Sequence, residues 1–168
     1  MTISMYKASV PVISHNLKAL SGILGKASAE MGHRELEVLD ARLAPDMFKL
    51  MEQLRFILLH AKLTPSLLAG VDVPKLAPND QDERSLVEVQ ANLGAALDYL
   101  KTFKPDQIDG SEMRPVELVT YGGETVRFTG ERFLLGFALP NFFFHYSMAY
   151  GILRANGLEI GKHDFLGG

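Results

Sequence analysis

Apolar residues recur from Tyr6 to Met31 at spacings that alternate between four and three: Tyr6, Val10, Ile13, Leu17, Leu20, Leu24, Ala27 and Met31. Positions at this spacing fall on one face of an α-helix, and the stripe is of the kind that packs in a bundle. Lys18, Lys26 and Glu30 lie off it, and Gly32 suits the position just past the helix end. The same spacing returns in Met47, Leu50, Leu54, Ile57 and Ala61. It predicts a second helix that starts near Pro45-Asp46, is kinked or briefly broken at Thr64-Pro65, and closes over Leu67-Leu68-Ala69-Gly70. Pro74, Pro78 and Asn79-Asp80 mark the stretch 71–81 as a loop. Leu86, Val89, Leu93, Ala96, Leu100 and Phe103 predict a third helix over about 82–103, with Pro105 stopping it.

The pattern then changes period. Val116 to Thr120 and Glu124 to Phe128 alternate apolar and polar residues on either side of Tyr121-Gly122-Gly123, which reads as a β-hairpin. The fourth helix falls within Phe133 to Asn156, and Pro140 either starts it or kinks a longer one. Arg154 suits its last turn and Gly157 its C-terminal cap. The tail from Ile160 is short and Gly-rich. Four striped helices can bury one another, so the expected fold is all-α: an up-down four-helix bundle, with a small β-hairpin between helices three and four. One domain over residues 1–168 accommodates it.

Composition narrows the function more than it specifies it. The 168 residues are 47% hydrophobic with net charge −3, so no basic surface for nucleic acid is expected. Cysteine is absent, which excludes disulfides, thiolate metal sites and cysteine nucleophiles, and agrees with a reducing cytoplasm. No secretory signal is evident at the N-terminus. The most apolar stretch, Phe133 to Leu153, is interrupted by Gly136, Pro140, Asn141 and His145. It makes a poor membrane span and a good core helix.

That stretch also carries the candidate chemistry. His145 follows Asn141 by four residues, so an amide and an imidazole project together from a helix face too apolar for the surface. A buried polar pair needs partners: structural hydrogen bonds, a metal, or a ligand. His60, late in helix two, is either a second ligand brought close by packing of facing helices or a partly exposed polar residue near a helix end. His15 completes the widest candidate set but lies off its helix stripe. His33 and His163 are read as solvated. Tyr150 on helix four joins His145, Asn141 and His60 as a candidate ligand contact, while Tyr146 reads as core. No Gly-x-Ser-x-Gly elbow occurs, and Tyr121-Gly-Gly-Glu124 lacks the helix and Lys-Ser/Thr of a phosphate loop.

Asn141-Phe-Phe-Phe-His145, continuing to Ile152-Leu-Arg154-Ala-Asn-Gly157, resembles the last helix of the DinB/YfiT-like four-helix-bundle proteins. With Arg42-Leu-Ala-Pro-Asp-Met47, it is similar to a branch of that superfamily of unknown function. The resemblance implies an up-down bundle, often a homodimer. In many relatives it also implies a divalent-metal site with one His on helix two and a His-x-x-x-His pair on helix four. On that pattern His145 matches the second His of the pair and Asn141 the first. The helix-two His falls near Phe56, with His60 one turn later on the same face. A neutral, hard amide carbonyl is a poor ligand for zinc or nickel, so the expected site is a degenerate one. The favoured function is small-molecule binding or a structural role. The alternative is a divalent-metal-dependent enzyme using His145 and His60, such as a thiol-dependent transferase.

Overall fold

The structure, a computed structural model, describes residues 3–77, 79–119 and 122–168. It is mainly helical, with one two-stranded antiparallel sheet among the described residues. Helix α1 spans Met5–Met31, opened by Ser4, whose side chain accepts from the Lys7 amide, and closed at Gly32. Its stripe is buried almost throughout: Val10, Ile13, Leu17, Leu20, Leu24, Ala27 and Met31 all enter the core. A single 3₁₀ turn, Gly32–Arg34, and a short helix α2, Glu35–Leu39, follow. Neither is predicted from the sequence, because pieces this short carry no sustained period.

Helix α3 runs Leu50–Ala69 and departs from expectation at two places. It begins after Pro45-Asp46, because the Lys49 N–H donates to the Glu52 carboxylate at 2.7 Å and fixes the first turn there. It also passes through Pro65 unbroken. A proline so near the C-terminus forfeits one backbone bond, and packing of the buried Leu63, Ser66 and Leu68 around it outweighs that loss. Gly70, in the left-handed conformation at φ 71°, ends the helix.

Helix α4, Leu86–Lys101, starts later than 82 because Ser85 is its N-cap, its hydroxyl accepting from the Glu88 amide at 3.3 Å. Pro105 does not merely stop α4; it opens a further short helix, α5, Pro105–Ile108. Strands β1, Pro115–Val119, and β2, Thr125–Thr129, pair in register Val116 with Phe128 and Leu118 with Val126. The predicted hairpin also includes Thr120, at the end of its first strand, and Tyr121, in its turn; both lie outside the described residues.

The fourth helical segment is longer than predicted and is not regular. Helix α6, Gly130–Phe133, leads into a π turn, Leu134–Ala138, and then into α7, Leu139–Ala155. Pro140 is the second residue after the π turn. A proline ring collides with the carbonyl four residues before it in a regular helix, and the wider turn over Gly136 relieves that collision. Gly130 is needed for close approach: a Cβ there would come within 2.1 Å of the Ser111 carbonyl oxygen. At the other end Leu158 N–H bonds to Leu153 C=O and Gly157 N–H to Arg154 C=O, a Schellman closure. The short, Gly-rich tail forms α8, Lys162–Leu166, laid against α1.

In packing, α3 lies against α7 and α4, and α1 against α4 and α8. Phe133, Phe142 and Tyr146 fill the centre, and the Tyr146 hydroxyl donates to the Phe165 carbonyl at 3.0 Å. Among the described residues no helix is long and apolar enough to cross a membrane. The α3–α7 contact carries the remaining buried polar side chains of interest.

Candidate functional site

Gln53, Phe56 and His60 follow at three and four residues, so α3 presents them along one face. Phe137, Asn141 and His145, each four apart, run along the π turn and α7. Packing α3 on α7 brings the two rows together around a cavity of about 500 Å³. Leu59, Leu63 and Phe144 complete the helical walls, Phe48 adds a ring from the stretch before α3, and Leu118 and Val119 of β1 lean in from the hairpin. The hairpin is held there through Phe128, whose ring lies 5.5 Å from that of Phe137.

His145 and His60 face one another across this cavity, ring centroids 6.2 Å apart and nearly parallel. Both are buried, at 6% and 4% exposure. The Nδ1 of His145 is 2.7 Å from Gln53 Oε1. Gln53 in turn donates from Nε2 to the Phe48 carbonyl at 3.3 Å. That second bond orients the amide, so its oxygen faces the imidazole and Nδ1 must carry the proton. His145 is thereby held as the Nδ1–H tautomer, leaving the Nε2 lone pair uncommitted. His60 is less well provided: its Nδ1 is buried and has no hydrogen-bond partner. An unsatisfied buried polar atom costs on the order of 1–3 kcal/mol.

Burial sets the electrostatics. Desolvation pushes the His145 imidazole down from 6.5 to about 4. His60 is also lowered to about 4, first by desolvation and then by the nearby His145. Both rings are therefore neutral at neutral pH, as a ligating or accepting imidazole must be.

The sequence-predicted residues are only partly gathered here. His145, Asn141 and His60 line the cavity. Tyr150 does not join them; its ring meets Phe165 edge-on at 5.5 Å, turned toward α8. His15 is also elsewhere, with Nε2 2.8 Å from the Leu166 carbonyl. Asn141 spends one of its two amide N–H groups on the Phe137 carbonyl at 2.7 Å, one turn back in the π turn. The ring of Phe56 lies face to face on His145, centroids 4.5 Å apart at 12°. Much of the lining escapes sequence reasoning, Gln53, Phe48 and the β1 residues among it. Gln53 had a usable signal, a polar residue three and seven positions from Phe56 and His60 inside an apolar helix. The β1 contacts had none, because only tertiary packing lays the hairpin across the cavity mouth.

A divalent metal does not fit these residues. Two imidazoles face each other, but among the described residues no third His, Asp or Glu joins them. The positions that the resemblance gives to the other ligands hold a phenyl ring, Phe56, and an amide, Asn141, whose neutral carbonyl is a weak donor to zinc or nickel. Zinc in proteins takes three or four side-chain donors.

The sequence matches DUF1993, a domain of unknown function, over residues 5–166. A comparison with curated proteins gives no match. Among solved structures, the chain is similar to the crystal structure of a DinB family member from Shewanella denitrificans, with 32% identity and a TM-score of 0.83 over 97% of this chain and 92% of that one. The chain thus belongs to the DUF1993 family, a DinB-like branch whose function is unknown.

Proposed function

We propose that the protein binds a small, mostly apolar molecule without transforming it, in the cavity between α3 and α7, and that this cavity is a degenerate metal site. The observation that carries the reading is the Phe56 ring stacked on His145 at 4.5 Å. It places an apolar wall where a metal-dependent relative would need a donor. The rest of the lining agrees: aromatic and aliphatic side chains with a few convergent polar atoms are what small-molecule sites offer. The metal-dependent enzyme reading is favoured by one feature, the Gln53 hydrogen bond that fixes the His145 tautomer as an outer-shell partner fixes a ligand.

Metal analysis separates the two. Protein purified without an affinity tag is expected to hold well under about one equivalent of zinc or nickel. The double variant Phe56→His with Asn141→His is expected to take up about one equivalent. Stoichiometric metal in the native protein, lost in His145→Ala, would overturn the proposal. The binding half is tested by titration with the neutral dye N-phenyl-1-naphthylamine, whose fluorescence should rise saturably at a single site; no saturable rise would count against the pocket.

The proposal extends to architecture and assembly. We read residues 1–168 as one domain in which α1, α3, α4 and the α6–α7 segment run up and down as a bundle, and the chain as a homodimer. Leu135 and Phe144 stay more than half exposed, at 54% and 51%, and twofold dimers are the commonest oligomers. Light scattering should give twice the 18.6 kDa chain mass. A mass equal to that of one chain at micromolar concentration would contradict the dimer.

A further inference from the structure

The polar atoms around the cavity differ in what they can still do. His145 has given its N–H to Gln53, so what it offers the cavity is the Nε2 lone pair. Asn141 has given one of its two N–H groups to Phe137, and its Oδ1 stands as a second acceptor. His60 is uncommitted, with a buried nitrogen that has no partner. Among the described lining residues there is no Lys, Arg, Asp or Glu. A carboxylate or phosphate would enter against lone pairs with no cation to meet it. An ammonium would find no carboxylate. Either charge would be desolvated without compensation.

A hydroxyl group suits this set because it both donates and accepts. It can donate to His145 Nε2, and its own oxygen remains free to accept from His60 in the tautomer that offers an N–H. The surrounding walls add a second requirement. Phe48, Phe56, Phe137 and Phe144 line the same space, and aromatic rings gain from offset or edge contacts with another ring. A cavity of about 500 Å³ has room for a one- or two-ring compound.

We infer that the ligand class of this pocket is a neutral aromatic hydroxyl compound, a phenol or naphthol, whose O–H donates to Nε2 of His145 and whose ring lies among the four phenylalanines. Gln53 is a positioning residue in this recognition, acting through the tautomer of His145. The inference rests on the small-molecule reading above and narrows it to one chemistry.

Titration calorimetry near neutral pH with β-naphthol, naphthalene, β-methoxynaphthalene and β-naphthoate tests it. β-Naphthol is expected to bind about tenfold more tightly than naphthalene or the methyl ether, which cannot donate. β-Naphthoate should bind more weakly than β-naphthol. Gln53→Leu is expected to keep naphthalene affinity and lose most of the preference for the hydroxyl. Equal binding of the three neutral compounds would overturn the hydroxyl inference and leave the apolar pocket standing. Tightest binding by the carboxylate would overturn it too, as would an undiminished preference in Gln53→Leu. Absence of binding by all four would remove both the inference and the reading beneath it. Should Gln53→Leu fail to fold, the ligand series on the native protein decides alone.

Discussion

Glu83→Ala is expected to destabilise the protein by about 3–5 kcal/mol, the loss seen when one partner of a buried ion pair is removed. Glu83 is 0% exposed. Its carboxylate accepts from Arg55 Nε at 3.2 Å and from the buried Asn92 amide at 2.6 Å. Arg55 also reaches the Glu83 carbonyl, so side chain and backbone are gripped together. Removing the carboxylate leaves Asn92 without its acceptor and Arg55 with an unpaired guanidinium. Because Arg55 keeps partial access to water, the lower end of the range is expected. Urea unfolding measures it as a drop in midpoint at unchanged slope. Glu83→Gln, which keeps the volume and one acceptor, should lose less. A Glu83→Ala loss below about 1 kcal/mol would show that this network is peripheral to stability.

The consequence for the site is positional. The described residues of the 71–85 segment form no helix or strand, and two ion pairs tie them to α3. One is the Arg55–Glu83 pair; the other is the buried pair of Lys62 with Asp80, whose carboxylate also accepts the Leu76 amide at 3.0 Å. Arg55 immediately precedes Phe56. The same clamp that restrains the loop therefore restrains the backbone from which Phe56 stacks on His145.

Acid should unfold the protein earlier than its carboxylates alone would cause, through His60 and His145. In the unfolded chain both imidazoles take up protons near 6.5; in the folded chain both are lowered to about 4. Between these values the unfolded state binds more protons, so stability rises with pH there. The contribution is fully present above about pH 7, declines as pH falls through 6.5, and is gone once pH passes below 4, where both states are protonated. With about 1.4 kcal/mol per unit of pKa difference, two such rings contribute on the order of several kcal/mol. The gain is smaller than their simple sum because His145 borders the cavity and keeps some contact with solvent. Urea midpoints measured from pH 8 to pH 4 should fall steeply below 6.5 in the native protein and less steeply in His60→Phe. An identical slope in the two proteins would mean that His60 is hydrated and that its burial does not set its protonation.

Periodicity was enough to place the long helices. The stripe in α1 needs no partner to be read, because spacing alone puts eight apolar residues on one face, and the structure buries all but one of them fully. The hairpin was equally plain from its change of period. Element ends were less so: Pro45-Asp46 resembles a helix start, yet the start is where Glu52 finds the Lys49 N–H. Pro65 and Pro140 resemble breaks. One is absorbed by packing and the other by a π turn, and both outcomes depend on what surrounds the helix rather than on the residue itself.

The candidate site divides the same way. Sequence alone determined that His145 and Asn141 share one inward-turned helical face, since that follows from a spacing of four in a stretch too apolar for solvent; the structure buries His145 and half-buries Asn141. It also marked His60 as able to face them, though not that it does. Only the tertiary structure decided that Gln53 fixes the His145 tautomer, that Phe56 covers its ring, and that Tyr150 turns away toward Phe165. These are contacts between helices and depend on their relative rotation and offset. A helical period records which residues point inward and carries no information on which of them meet.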